Sequence, residues 1–383
     1  MIHTSKFSEA WKVQPIGEVC TSIVPGRNKP DFSVAGEYPW LTIDDLQQFY
    51  LYNSKLGYRV SKAALDRANG KTVPNNSVIM SCVGQFGIVG IAKTELVINQ
   101  QLHAFICPLE IDSYFLAMAL IWQKPYMERI ATKTTVSYMN KAACESIPIP
   151  VPPLPEQHKI AEILSTWDEA IDLTEQLIVA KQRRKQALMQ RLLTGQDRFP
   201  GFENLPLQLI SLENCIELGS GKTKPEDTQD APTLEQSIPV YGGNGVLGYS
   251  SQIFVSGKRI IIGRVGEYCG TVRFVDQPCW ITDNALYTKK FSDSVYPEYM
   301  GYLLSHLNLG RLRKKGGQPL ISQKPIYSLK VSLPCISEQT RIAEILNTSD
   351  EELALHQQKL TALRRQKQGL MQQLLTGRLR VKV

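Results

Sequence analysis

A passage of forty residues occurs twice in this chain, and any architecture that contains it must use it twice. Glu156-Gln157 with Ile160-Ala161-Glu162-Ile163-Leu164 returns as Glu338-Gln339 with Ile342-Ala343-Glu344-Ile345-Leu346. Leu188-Met189-Gln190 with Leu192-Leu193-Thr194-Gly195 returns as Leu370-Met371-Gln372 with Leu374-Leu375-Thr376-Gly377. The offset is 182 residues at both ends, so the copies align without a gap, and 23 of the 40 positions are identical. Two near-equal halves suit a target, or partners, that also come in two halves.

Both copies read as long helices. Residues 156–193 contain no Gly or Pro, 338–375 contain only Gly369, and both are rich in good helix formers. Pro155 sits in the first turn, Ser337 is the expected N-cap of the second copy, and Gly195 and Gly377 are expected in the left-handed position past each end. Ile160, Leu164, Trp167, Ile171, Ile178, Leu188 and Leu192 fall on one heptad seam; Ile342, Leu346, Leu353, Leu360, Leu363, Leu370 and Leu374 fall on the other. Each stripe needs a partner, and the other copy is the obvious one, packed as an antiparallel coiled coil. At about 1.5 Å per residue each rod is roughly 57 Å long. The basic runs Lys181–Lys185 and Arg364–Lys367 are expected on polar faces.

The segments before each helix correspond more distantly. Val78–Phe86 parallels Ile260–Tyr268 at the same offset, each a buried strand entering a glycine turn. An apolar helix follows (114–122 and 299–307), and each half closes on an alternating strand ending at Pro152 or Pro334. The expected class is α+β: two mixed α/β modules and two long helices, in a pseudo-two-fold internal repeat. The boundaries are 1–153 and 206–335 for the modules, 154–205 and 336–383 for the helical spacers. Well-kept helices and drifted modules imply one shared task and two different ones.

Composition narrows the class. With 383 residues, 43% hydrophobic and 21% charged, the chain has the make-up of an ordinary soluble protein of two or three domains. Met1–Ala10 lacks the apolar core of a signal peptide, and stretches such as Tyr114–Trp122 fall short of a membrane span. A cytoplasmic protein without membrane contact is expected. The eight cysteines are scattered, with no ligand spacing for zinc, and read as buried free thiols. No metal site is expected. The net charge of +7 permits an acidic polymer as partner without requiring one.

Catalytic motifs are weak throughout. Gly219-Ser220-Gly221-Lys222-Thr223 lacks the leading glycine of a phosphate loop, since Ile216 stands there, and Pro225 follows instead of a helix. It reads as a turn. No Asn/Asp-Pro-Pro-aromatic loop of an amino-methyltransferase and no Gly-x-Gly-x-x-Gly after a strand is present, and the five histidines are isolated. The strongest nucleic-acid signal is Arg311, Arg313, Lys314 and Lys315 running into Gly316-Gly317-Gln318, where cations reach phosphates and a glutamine suits an adenine edge. Lys133, Thr134 and Tyr138 form a weaker counterpart in the first half, and Arg264 lies within the second strand–turn element.

A proline-ended strand, Glu-Gln, Ile-Ala-Glu-Ile-Leu and a Leu-Leu-Thr-Gly terminus, all present twice, resemble the specificity subunit of type I restriction–modification systems over nearly the whole chain. Pro334-Cys335-Ile336-Ser337 departs from Pro153-Leu154-Pro155 in the first copy. The resemblance implies a non-catalytic, sequence-specific subunit that binds double-stranded DNA. Each module would read one half of a split asymmetric site, with the paired helices setting the gap. It further implies two modification (methyltransferase) subunits docked on the frame and motor–nuclease restriction subunits beyond them. S-adenosylmethionine, ATP and Mg would be used by those partners, with no cofactor in this chain. A solitary methyltransferase–endonuclease and a coiled-coil adaptor without DNA specificity are the competing readings.

Overall fold

The computed structural model describes residues 11–26, 28–133, 135–314 and 319–382. The chain divides into two units, and the division falls inside both long helices. Unit one is Met1–Thr174 with Lys359–Val383; unit two is Glu175–Gln358. The first long helix spans Leu154–Leu193 and the second Ile336–Leu374. Gly195 (φ 71°) and Gly377 (φ 69°) take the expected left-handed position past each end. Ser337 does not cap the second helix. The Cys335 carbonyl accepts from the Glu338 and Gln339 amides at 3.0 Å each, so the helix begins before Ser337, which lies inside its first turn.

In unit one, a five-stranded sheet is ordered Thr21–Ile23, Leu102–Ile106, Val78–Ser81, Val89–Ala92, Tyr50–Leu51, and only the last pairing is parallel. Strand alternation gives the sheet two covered faces. Val78 and Met80 meet the helix Ser113–Trp122, while Ile79 turns to Leu41, Leu46 and Leu96. That helix is buried from Tyr114 to Leu120, as an all-apolar helix must be. Its N-terminus is capped by Asp112, whose carboxylate accepts from the Phe115 amide at 2.8 Å. Burying side chains such as Phe105 and Phe115 contributes on the order of 1.5–3 kcal/mol each. A second sheet, Arg59–Val60, Tyr38–Leu41, Val97–Ile98, completes the module.

Unit two repeats the plan with different strands. Its antiparallel sheet is ordered Ile216–Ser220, Ala285–Phe291, Lys258–Gly263, Val272–Asp276. Ile260 and Ile262 face the helix Pro297–His306, and Ile261 faces Tyr241, Cys279 and Ile281. A smaller sheet holds Gly245–Ser250, Ile238–Gly242 and Trp280–Ile281. The Gly219–Thr223 segment ends a strand and then crosses backbone. A Cβ on Gly221 would lie 2.1 Å from the Thr282 carbonyl oxygen, so the glycine serves close approach.

Each module closes on itself before its long helix starts. Lys12–Pro15 pairs antiparallel with Pro148–Val151, and Gln208–Ser211 with Lys330–Leu333. Chain entry and exit therefore lie side by side at the root of a long helix. Pro148 and Pro150 donate nothing, which a two-stranded ladder with open edges tolerates. The seam ends join the module cores: Ile160, Leu164 and Leu374 belong to the first core, Leu192, Ile342 and Leu346 to the second. All eight thiols are free, but Cys107 is only half-buried and Cys335 is exposed, unlike the uniformly buried set expected. Among the described residues no helix is long and apolar enough to cross a membrane.

Candidate nucleic-acid interface

In unit one the strand Val78–Ser81 runs into a turn at Gly84 (φ 78°), and a short hairpin lies against it. The Gly84 amide donates to the Ser137 carbonyl at 2.8 Å, and Val83 bridges Tyr138, which in turn bridges Thr132. Lys133 and Tyr138 stand exposed on this hairpin; Thr134 lies outside the described residues. In unit two the strand Lys258–Gly263 runs into Arg264 and a turn at Gly266 (φ 85°). The Gly266 amide donates to the Pro319 carbonyl at 3.0 Å, the Ile321 amide to the Arg264 carbonyl at 2.9 Å, and the Lys314 amide to the Leu320 carbonyl at 3.1 Å. The fold thus brings Arg264 to the segment carrying exposed Arg311, Arg313 and Lys314. Lys315 and Gln318 lie outside the described residues. Arg264 is half-buried; its Nη1 is 3.4 Å from the Ser220 hydroxyl, and its buried Nε has no acceptor among the described residues. Exposed Tyr268 shares the turn. The same strand–turn–loop construction, decorated differently, presents cations and a phenol in both modules.

The frame beneath these loops uses the same residues twice. Gln157, fully buried, accepts from the Asp112 amide at 3.0 Å and donates to the Glu110 and Pro152 carbonyls at 3.0 and 2.9 Å. Gln339 accepts from the Tyr296 amide at 2.9 Å and donates to the Ser294 and Pro334 carbonyls at 2.8 and 2.9 Å. Each glutamine thereby ties the loop before the module helix to the closing strand, with its whole amide satisfied. Beside it, Glu156 is paired with Arg380 and Glu338 with Arg198. Arg198 and Arg380 are again 182 residues apart, but they lie beyond the Gly195 and Gly377 ends of the repeat as first delimited. The signal for them was the offset carried three residues further.

A second joint lies twelve residues along each helix. In unit one Asp168 pairs with Lys367 and accepts from the Tyr114 hydroxyl. In unit two Asp350 pairs with Lys185 and accepts from the Tyr302 hydroxyl at 2.6 Å. Burial first, and then the adjacent carboxylate, push both phenols well above their usual range, so both remain donors. Lys181 likewise pairs with Glu352. The basic runs are thus divided rather than wholly on polar faces. Lys181, Lys185 and Lys367 turn inward to carboxylates while Arg183, Arg184, Arg364 and Arg365 remain exposed.

All fourteen seam positions are buried or half-buried. Two residues beyond the a and d positions of the seam's heptad register, from 160 to 188 and from 342 to 370, about 200° around the helix, runs an exposed stripe. Glu162, Thr166, Glu169, Leu173, Gln176, Ala180, Arg183 and Gln190 recur there as Glu344, Thr348, Glu351, Leu355, Gln358, Ala362, Arg365 and Gln372. Ala187 and Gly369 break the identity, so eight of nine stripe positions are kept. Eight other repeat positions are exposed in both copies, and of these only Gln186, matched by Gln368, is kept. Even the seam is less uniform, with Trp167 against Ser349 and Ile171 against Leu353. Each unit carries the first half of one stripe and the second half of the other.

A sequence profile described as the type I restriction modification DNA specificity domain matches residues 8–180 and again 208–365, well over half of the chain. The chain is 22% identical to the type I restriction enzyme MjaVIII specificity subunit of Methanocaldococcus jannaschii, covering 100% of this chain and 96% of that protein. It is 24% identical to the EcoprrI specificity subunit of Escherichia coli, covering 85% and 83%. In fold it is similar to a type I restriction–modification S subunit from M. genitalium, with TM-score 0.65, 20% identity and coverage of 95% and 96%. Another solved chain, from work on complex assembly and conformational transition of the type I R-M system, aligns with TM-score 0.60, 16% identity and coverage of 97% and 99%. Two matched specificity domains, each standing on its own copy of the frame, place this protein: it belongs to the type I restriction–modification DNA specificity family.

Proposed function

We propose that the chain is the non-catalytic recognition subunit of a type I restriction–modification complex, in which 1–153 and 206–335 each read one half of a bipartite asymmetric DNA site. Residues 154–205 and 336–383 form the ruler, two long helices paired as an antiparallel coiled coil in a pseudo-two-fold internal repeat. Identical attachment of dissimilar modules carries this reading: Gln157 and Gln339 make the same three bonds beneath loops of different sequence. A device that keeps its mounts and varies what they hold presents different readers in equivalent poses. Ion pairs support the antiparallel arrangement, since Lys181 meets Glu352, Lys185 meets Asp350 and Arg198 meets Glu338, one number rising as the other falls.

The doubled stripe supports docking of two copies of one partner, the modification subunit. The exposed positions off the stripe have diverged between the copies, whereas a face meeting the same protein twice is held alike in both. Motor–nuclease subunits, and the use of S-adenosylmethionine, ATP and Mg by the partners in the cytoplasm, complete the proposal. The test is exchange of residues 1–153 for another module, followed by sequencing of methylated sites. One half of the modified sequence changes and the other stays. A change in both halves refutes the division of labour.

A further inference from the structure

The two Asp–Lys pairs are the same residues of the repeat used reciprocally. Asp168 of the first long helix meets Lys367 of the second in unit one, and Asp350 of the second meets Lys185 of the first in unit two. The tyrosines that complete them are not equivalent. Measured from the residue whose amide the clamping glutamine holds, Tyr114 is two positions after Asp112, whereas Tyr302 is six positions after Tyr296. Where a position matching Tyr302 falls in the first module, Met118 stands, and the Lys367 ammonium lies 3.7 Å from its sulfur. In unit two Lys185 lies over the Tyr302 ring, 5.2 Å from its centre, and the Tyr302 hydroxyl also meets Asn347 at 2.8 Å. Two modules therefore deliver a phenol to the same carboxylate from different turns of their helices.

That arrangement fixes an angle. The glutamine clamp at Gln157 or Gln339 and the core contacts of Ile160, Leu164, Ile342 and Leu346 hold each long helix only over its first turns. Asp168 and Asp350 lie eleven residues past the glutamines, roughly 16 Å along the axis at about 1.5 Å per residue. A second attachment at that distance sets the angle between module and helix over a longer lever, and a phenol must meet its carboxylate within a few tenths of an ångström to bond at all. We propose that the Asp168–Lys367 and Asp350–Lys185 pairs are common sockets, that Tyr114 and Tyr302 are the module-specific keys, and that the pairing sets the spacing at which the two modules engage DNA. Base pairs succeed one another by about a tenth of a helical turn, so a small rotation at either joint brings a neighbouring spacing within reach. The tyrosines are positioning residues that touch no base.

The proposal rests on the bipartite reading above, and its test separates the two. The full chain, assembled with its methylating partner, is given a plasmid library in which two fixed half-sites are separated by gaps varied one base pair at a time. The wild type methylates one gap length. Tyr114→Phe and Tyr302→Phe keep the ring and lose the hydroxyl, and each raises methylation at the adjacent gap lengths at least tenfold relative to the preferred one, with both half-site sequences unchanged. Lys185→Met and Lys367→Met, which keep a straight side chain, do the same. Thermal unfolding identifies folded variants. A folded Tyr→Phe pair with the wild-type gap profile overturns the socket, because a merely structural bond would lower stability and leave spacing alone. A wild type that methylates without regard to gap overturns the bipartite reading itself.

Discussion

Arg198 holds Glu338 through two parallel contacts of 2.7 Å, from Nε to one carboxylate oxygen and from Nη2 to the other, across 140 residues of chain. Arg380 holds Glu156 in the same manner at 2.6 and 2.9 Å. The surroundings differ. The Arg198 side chain is 12% exposed and Glu338 1%, whereas Arg380 is 46% exposed above a Glu156 that also accepts from the Trp11 indole at 3.2 Å. Removing one partner of a buried pair leaves an uncompensated charge and costs about 3–5 kcal/mol. Arg198→Ala is expected to lie in that range and Arg380→Ala well below it, read as shifts in urea midpoint at constant slope. Equal losses contradict the compensation that the Trp11 indole gives Glu156.

His103 makes the first module sensitive to acid. Its ring is almost wholly buried, burial lowers its pKa to about 4, and its Nε2 lies 2.6 Å from the Ser22 hydroxyl. The folded state holds it neutral while the unfolded chain takes a proton near pH 6.5, so the unfolded state binds more protons between those values. Stability is fully present above pH 6.5 and falls as pH drops toward 4, by up to about 3 kcal/mol. His103→Gln flattens that part of the stability profile measured by denaturant titration at stepped pH. An unchanged acid limb in the variant assigns the loss to other groups.

Lys314 and Arg264 are expected to contribute differently to DNA binding. An exposed lysine acts on phosphates as a point charge, so Lys314→Ala weakens binding to all sequences and reduces the slope of log affinity against log salt by about 0.9. Arg264 is half-buried with its guanidinium beside Ser220, a placement suited to a base edge. Arg264→Ala is expected to relax preference at one base position by about 1–3 kcal/mol. Competition binding on single-base variants, repeated at several salt concentrations, separates the two outcomes.

Leu173 and Leu355 are equivalent, 64% and 65% exposed, and kept in both copies. Leu173→Asp should remove one modification subunit from the assembly and leave the other, Leu355→Asp the converse, and the double variant should bind none. Mass measurement of the purified complexes reads the number directly. Retention of two partners by the double variant excludes the stripe as the docking face.

Much of the frame was legible in sequence because helices are local objects. The scarcity of glycine and proline and the heptad spacing of Ile160, Leu164 and Leu192 depend on residues within a few turns of one another, and the repeat shows by direct alignment of two such stretches. The two strand–glycine-turn elements at Val78 and Ile260 were legible for the same reason. The attachment residues were not. Gln157 and Glu156 were visible as repeated letters, yet nothing nearby shows that one clamps Asp112 and the other meets Arg380, 224 residues away.

Two modules on a duplicated helical frame are readable from the residues alone, since a periodic pattern and an exact offset survive without knowledge of what packs where. Which polar residues are structural and which face outward depends on packing between distant segments. Lys181, Lys185 and Lys367 sit in basic runs that read as solvated, yet carboxylates from the other long helix draw them inward. The kept stripe at Leu173 and Leu355 became distinct only when burial separated exposed identities from core identities. Side-chain pairing across hundreds of residues is a property of packing, and no local pattern encodes it.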